Sequence, residues 1–314
     1  AKPIVALKLL AKEEGQRIMT TSSDTNQTDE QPNQLGPEYV LTKILTPSSK
    51  FAFARSMIAS KAYEAWTNLL ITTKALPKPP SFTLAALDPT PTDATTRALE
   101  LAQQLVPPSV VNHMIRTYYF GMAIAAWKGK IAVSTNSEED EAKEEHASVN
   151  YPNFDREAFW TACVLHDIGV SPELSPPADS NTGSDKQDET ITALTNFEVR
   201  GGTRAHSFVT QELEPPFNTK RAWLVHEAIA LHTSKARHGE PDATEGMCWA
   251  EMLFDGAATD LTAMSLSKLC PETIVAVLRE HPKLDVHKVF PQMLRKECGE
   301  RPCCLIAQSG EMGL

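Results

Sequence analysis

From Asp93 to Pro282 apolar residues recur at helical spacing, and no stretch alternates convincingly with period two. A strand with one buried face needs that alternation, so the pattern leaves helices packed on helices. The expected fold class is all-α, a helical bundle with loop insertions and an N-terminal helical extension. Helices are expected over 93–105 with Asp93 as N-cap, over 109–127 after the Pro107-Pro108 break, and over 154–168. Four more are expected. One spans 203–213 after the Gly201-Gly202 pair, one spans 218–234 capped by Asn218, and the last two span 247–261 and 270–282. The last begins with Pro271 in its first turn and stops before Pro282.

The flanks read differently. Phe51, Ala54, Ile58, Ala62 and Trp66 recur at helical spacing with Ser49 as a cap, which predicts a docking helix over 49–70. The Pro-rich stretch 74–93 then forms a boundary. Residues 1–92 are therefore an extension with linker, 93–290 the main helical domain and 291–314 a C-terminal tail. The acid-rich 134–150 and the Ser/Pro-rich 175–189 read as solvated insertions. Near the start an apolar run is interrupted by Lys8, Lys12, Glu13 and Glu14, which speaks against a secretory signal.

Charge narrows the partners. There are 30 basic and 40 acidic residues, a net of −10, which disfavours nucleic acid and anionic membrane surfaces. No run of about 18 apolar residues is present, so no membrane span is expected. Six cysteines without a CxxC spacing fit reduced thiols and a cytoplasmic setting.

The chemistry centres on His166-Asp167. His166 shares an apolar stripe with Phe159, Ala162 and Cys163, and Asp167 follows about 100° around, so both converge near a helix end. Burying such a pair costs several kcal/mol, roughly, without compensation. A divalent ion is one remedy and a plain His-Asp hydrogen bond the other. His113 lies among Val110, Val111, Met114 and Ile115, where a satisfied core histidine is the bland alternative. Asp255 follows Cys248 and Met252 at offsets of seven and three, with Gly256 beside it.

The order His113 … His166-Asp167 … Asp255 resembles the HD superfamily of metal-dependent hydrolases. NHMIRTYYFG, ACVLHDIG, NFEVRGG, VHEAIALHTS and the segment 260–273 resemble its cyanamide hydratase branch, known from fungi and bacteria, over roughly residues 93–285. The family's His-Ser-x-Arg stands here as His113-Met114-Ile115-Arg116. The resemblance implies an HD-type helical domain with one divalent metal, zinc first and iron second, held by His113, His166, Asp167 and Asp255. It implies a lyase that adds water to a small neutral nitrile such as cyanamide, giving urea.

Such an addition also needs a proton for the nitrile nitrogen. His232 is the first candidate, Glu198 and Glu227 are second, and Thr233 is a hydrogen-bond donor. His226 and His232 stand six residues apart, about 120° around a helix, so both cannot face one ion. Glu198 has a turn-ordering alternative, His206 a surface one, and Arg116 a structural ion pair. The rival readings are an HD-fold hydrolase or di-iron oxygenase of a specialised metabolite, with His206, His226 and His232 as extra ligands, and a non-enzymatic binding module. A homo-oligomer through the 49–70 helix is left open.

Overall fold

The computed structural model describes residues 62, 65–133, 153–174, 196–233 and 244–300, all within one compact unit, Leu35–Leu314. The expected insertions at 134–150 and 175–189 lie outside the described residues. So does most of the 49–70 helix, whose described part is helical over 65–72, with Trp66 and Leu69 exposed. Among the described residues the chain is helical and contains no strand, in keeping with the all-α expectation. No described helix is long and apolar enough to cross a membrane.

Among the described residues, eight helices of ten residues or more build the bundle: α1 Asp93–Leu105, α2 Pro108–Trp127, α3 Arg156–Leu165, α4 Phe197–Ser207, α5 Thr219–Leu231, α6 Glu245–Thr262, α7 Pro271–Glu280 and α8 Val286–Glu300. Their starts follow side-chain capping. Thr92 rather than Asp93 caps α1 and forms a capping box with Thr95; Asp155, Asn196, Asn218 and Thr244 cap α3, α4, α5 and α6. Each satisfies an amide that the helix leaves without a partner.

Helix α2 is the central rod, buried from Ser109 to Ala125 but for Asn112. It lies along α6 at backbone contact. A Cβ on Gly256 would stand 2.1 Å from the Thr117 carbonyl oxygen, and one on Gly121 2.7 Å from that of Met252. Only hydrogen side chains permit that approach. Tyr118, Phe159 and Trp160 pack in the core beside this crossing.

Two sequence expectations change here. The Gly201-Gly202 pair does not end a helix but sits inside α4, which begins at Phe197. The reason is packing. Gly169 and Gly201 bring two chain segments together, since a Cβ on Gly169 would lie 1.9 Å from the Phe197 oxygen and 2.8 Å from the Gly201 nitrogen. A short π-helix, Phe208–Glu212, continues α4. Second, α8 runs through residue 290, where the domain was expected to end. Pro291 removes one intrahelical bond. Val286, Phe290 and Leu294 nonetheless share one face and bury it against the bundle.

Candidate metal centre

Two helices deliver the centre from their C-terminal ends. His166 is the residue just past α3, and its Nδ1 stands 2.7 Å from the Cys163 carbonyl. His232 is the residue just past α5, and its Nδ1 stands 2.7 Å from the Ile229 carbonyl. In both cases the imidazole satisfies a carbonyl near the helix terminus. A carbonyl only accepts, so Nδ1 carries a proton, and in the neutral ring, the form that binds a metal, Nε2 presents a lone pair. His113, from the middle of α2, is fixed in the same tautomer by Asp260 Oδ2, 2.7 Å from its Nδ1.

The three Nε2 atoms face one carboxylate. His166 and His113 stand 3.0 and 3.5 Å from Asp167 Oδ2, and His232 stands 3.9 Å from Oδ1. All four side chains are buried. Yet His113 Nε2 and Asp167 Oδ2 have no hydrogen-bond partner. Enclosed acceptors turned toward one another are costly unless a cation lies between them. His113, His166 and Asp167 are the one group of three side chains, among the described residues, whose ligand atoms cluster closely enough to hold an ion. The donor set of imidazole and carboxylate suits zinc or iron.

Electrostatics follow from burial and neighbours. Burial works against the charge on both His166 and Asp167, but their mutual attraction outweighs it: His166 is raised and Asp167 lowered. Burial, then His166, pushes His232 down to about 4, so it is neutral near pH 7.

Asp255, the expected fourth ligand, is not among the side chains gathered at this cluster. Asp255 points to the rim, where Lys128 Nζ lies 2.5 Å away and Glu251 shares the same amine. The carboxylate from α6 that reaches His113 is Asp260, five residues on and about 140° around the helix. It lies on the deeper stripe of Trp249, Leu253 and Gly256 rather than on the half-buried one of Cys248 and Asp255. Asp260 also takes two bonds of 2.7 Å from Arg116, whose Nη1 donates to the carbonyls of His281 and Pro282. Burial alone would raise Asp260; His113 and Arg116 hold it well below the carboxylate range. Arg116 is thus the structural ion pair, and Asp260 orients His113 from behind.

The other candidates separate. Glu198 is fully buried in the first turn of α4. Its Oε1 accepts from Thr233 at 2.7 Å, while its Oε2 has no hydrogen-bond partner. Burial pushes it up to about 7. Thr233 and Glu198 therefore act as one unit beside His232. Glu227 is instead committed to the start of α6. Thr244 donates to its Oε1 at 2.5 Å, and a Cβ on Gly246 would lie 2.2 Å from its Oε2. A carboxylate there complements the positive helix terminus. His206 and His226 gather around Trp223, with ring centres 4.5 and 5.0 Å from it, apart from the three converging imidazoles. The two histidines six residues apart on α5 thus face different surroundings.

Neither a family model nor a curated protein matches this chain.

Proposed function

We propose that this protein is a metal-dependent hydratase of the HD type that adds water to a small neutral nitrile, with cyanamide, giving urea, as the first substrate to try. One observation carries the reading. His113 Nε2 and Asp167 Oδ2 are buried acceptors without partners, and Glu198, bonded to the Thr233 that follows His232, is a buried carboxyl pushed up to about 7. That pairs a cation-binding set with a proton donor, which is what addition to a carbon–nitrogen triple bond needs. A divalent ion held by His113, His166 and Asp167, zinc first and iron second, would supply a water nucleophilic at neutral pH.

The chain's own groups handle the protons. His232 has its one N–H on Ile229, so the proton for the nitrile nitrogen falls to Glu198. Glu198 gives its proton as oxygen adds to carbon and recovers one from the attacking water, so one H2O is consumed and no oxidant is needed. Thr233 holds Oε1 and leaves Oε2 as the working atom. A neutral substrate also fits the arginines of this region. Arg116 is taken by Asp260 and two carbonyls, and Arg200 by Glu297 and the Gly169 carbonyl. Neither offers a phosphate a bidentate partner.

Metal-loaded protein incubated with cyanamide should release urea. Glu198→Gln should cut kcat by about 100-fold or more while leaving metal content unchanged. Absence of urea from the loaded protein removes cyanamide as substrate. About two irons per chain would favour a di-iron oxygenase instead.

A further inference from the structure

Helices α3 and α5 end in the same way. Each places a histidine just past its last residue, puts Nδ1 2.7 Å from the carbonyl three residues back, and turns Nε2 inward on Asp167. The sequences behind them match in kind: Ala162, Leu165 and His166 against Ala228, Leu231 and His232. His166 belongs to the ligand cluster and His232, 3.9 Å rather than 3.0 Å from Asp167, does not, yet both rings are anchored in the same way.

We propose that His232 is a ligand of the metal, so that the centre is a set of three imidazoles and one carboxylate. The proposal rests on the metal-centre reading and not on the choice of substrate. Three observations carry it. The tautomer leaves Nε2 with a lone pair and no proton to donate. The ring is 4 % exposed, so that lone pair has little access to bulk water. The ring centres of His166 and His232 are 5.0 Å apart at 81°, closer than the 5.4 Å between His113 and His166. Imidazoles bound to one ion through bonds of about 2.0–2.1 Å have ring centres about 3.2 Å from it, hence about 4.5–5.5 Å from each other. His232 meets that distance with respect to His166.

A consequence concerns the ion. Four protein donors would fill a tetrahedron, so a zinc held there would have to expand to five-coordinate to take a reacting water. An ion that accepts five or six donors keeps a position open. The fourth donor therefore moves the preference within the mixed imidazole–carboxylate class from zinc toward iron.

The test compares full-length wild type, His232→Ala and His232→Gln, with circular dichroism checking the fold and Glu198→Gln as a nearby control. Affinity is read by competition with a chelator, and the Co2+-substituted protein is read by its visible absorption. Both His232 variants should lose at least about 100-fold in affinity, beyond the 10–100-fold cost of losing an orienting partner. Their Co2+ bands should also shift, while Glu198→Gln keeps the wild-type bands. Added imidazole should restore the bands in folded His232→Ala. Folded variants with wild-type affinity and wild-type bands overturn the proposal while leaving the centre intact. A wild type that takes up no metal overturns the centre itself.

Discussion

Asp255 and Asp260 ride on the same helix, one facing the rim and the other the interior. Asp255 leaves 14 % of its side chain exposed and shares Lys128 with Glu251. Asp260 is enclosed, with His113 on one oxygen, Arg116 across both, and Lys283 near the other. Water screens the rim pair, and such pairs contribute roughly 0–1 kcal/mol. The inner pair has little water to screen it or to take its place. Removing one partner strands a buried charge, which costs roughly 3–5 kcal/mol. Two acids of the same type, five residues apart, thus differ in kind: one shares a partly exposed lysine and one fixes the tautomer of the buried His113.

The largest expected effect breaks the pair at Asp260. Asp260→Ala should lose about 3–5 kcal/mol in urea denaturation, because Arg116 stays buried without its carboxylate. The same variant should bind metal 10–100-fold more weakly, roughly, because His113 loses its orienting partner. A loss below about 1 kcal/mol would erase the contrast with Asp255.

Glu198 sharpens the comparison, being a third carboxylate and, unlike the other two, in no ion pair among the described residues. Its folded value of about 7 lies above the ordinary 4.5, so the fold favours its acid form. In the metal-free protein its contribution should be full below about pH 4.5 and lost as pH rises toward 7. The shift corresponds to about 3 kcal/mol. Denaturation at a series of pH values should show that decline, and Glu198→Gln should flatten it. Asp260, held low, runs the other way: its contribution is present above the carboxylate range and lost in acid. A profile for Glu198→Gln that still falls between pH 4.5 and 7 would remove Glu198 as its cause.

The smallest effect is at the rim. Asp255→Asn should change stability by less than about 1 kcal/mol and leave metal affinity unaltered. Higher salt should shrink even that difference, since screening reaches partly exposed pairs more than buried ones. A loss of metal from Asp255→Asn would restore Asp255 to the ligand set and overturn the assignment of Asp260.

Much of the fold could be read from periodicity. Helices α1, α2, α3, α5, α6 and α7 lie where apolar spacing placed them, within a few residues. The exceptions have local causes. Gly201-Gly202 looked like punctuation because glycine usually breaks helices, but here it lets α4 touch the segment that carries His166 and Gly169. Helix α8 was hidden by Pro291, although Val286, Phe290 and Leu294 already stood four residues apart. At the centre, His113, His166 and Asp167 were legible as inward positions on apolar stripes. Asp260 was not, because α6 carries two adjacent stripes and helical spacing alone does not say which one lies deeper.

The sequence by itself therefore determined that the described residues are helical, which positions share an apolar stripe, and that a histidine-aspartate pair sits at a helix end. Those properties depend on spacing along one helix, which the order of residues sets directly. Only the tertiary structure decided which acid backs His113, that His232 repeats the placement of His166, and that Glu227 serves the start of α6 while Glu198 stays buried, in no ion pair among the described residues. Each of these depends on the rotation and depth of one helix against another. A rotation of about 100°, one residue's turn, exchanges a rim position for a central one.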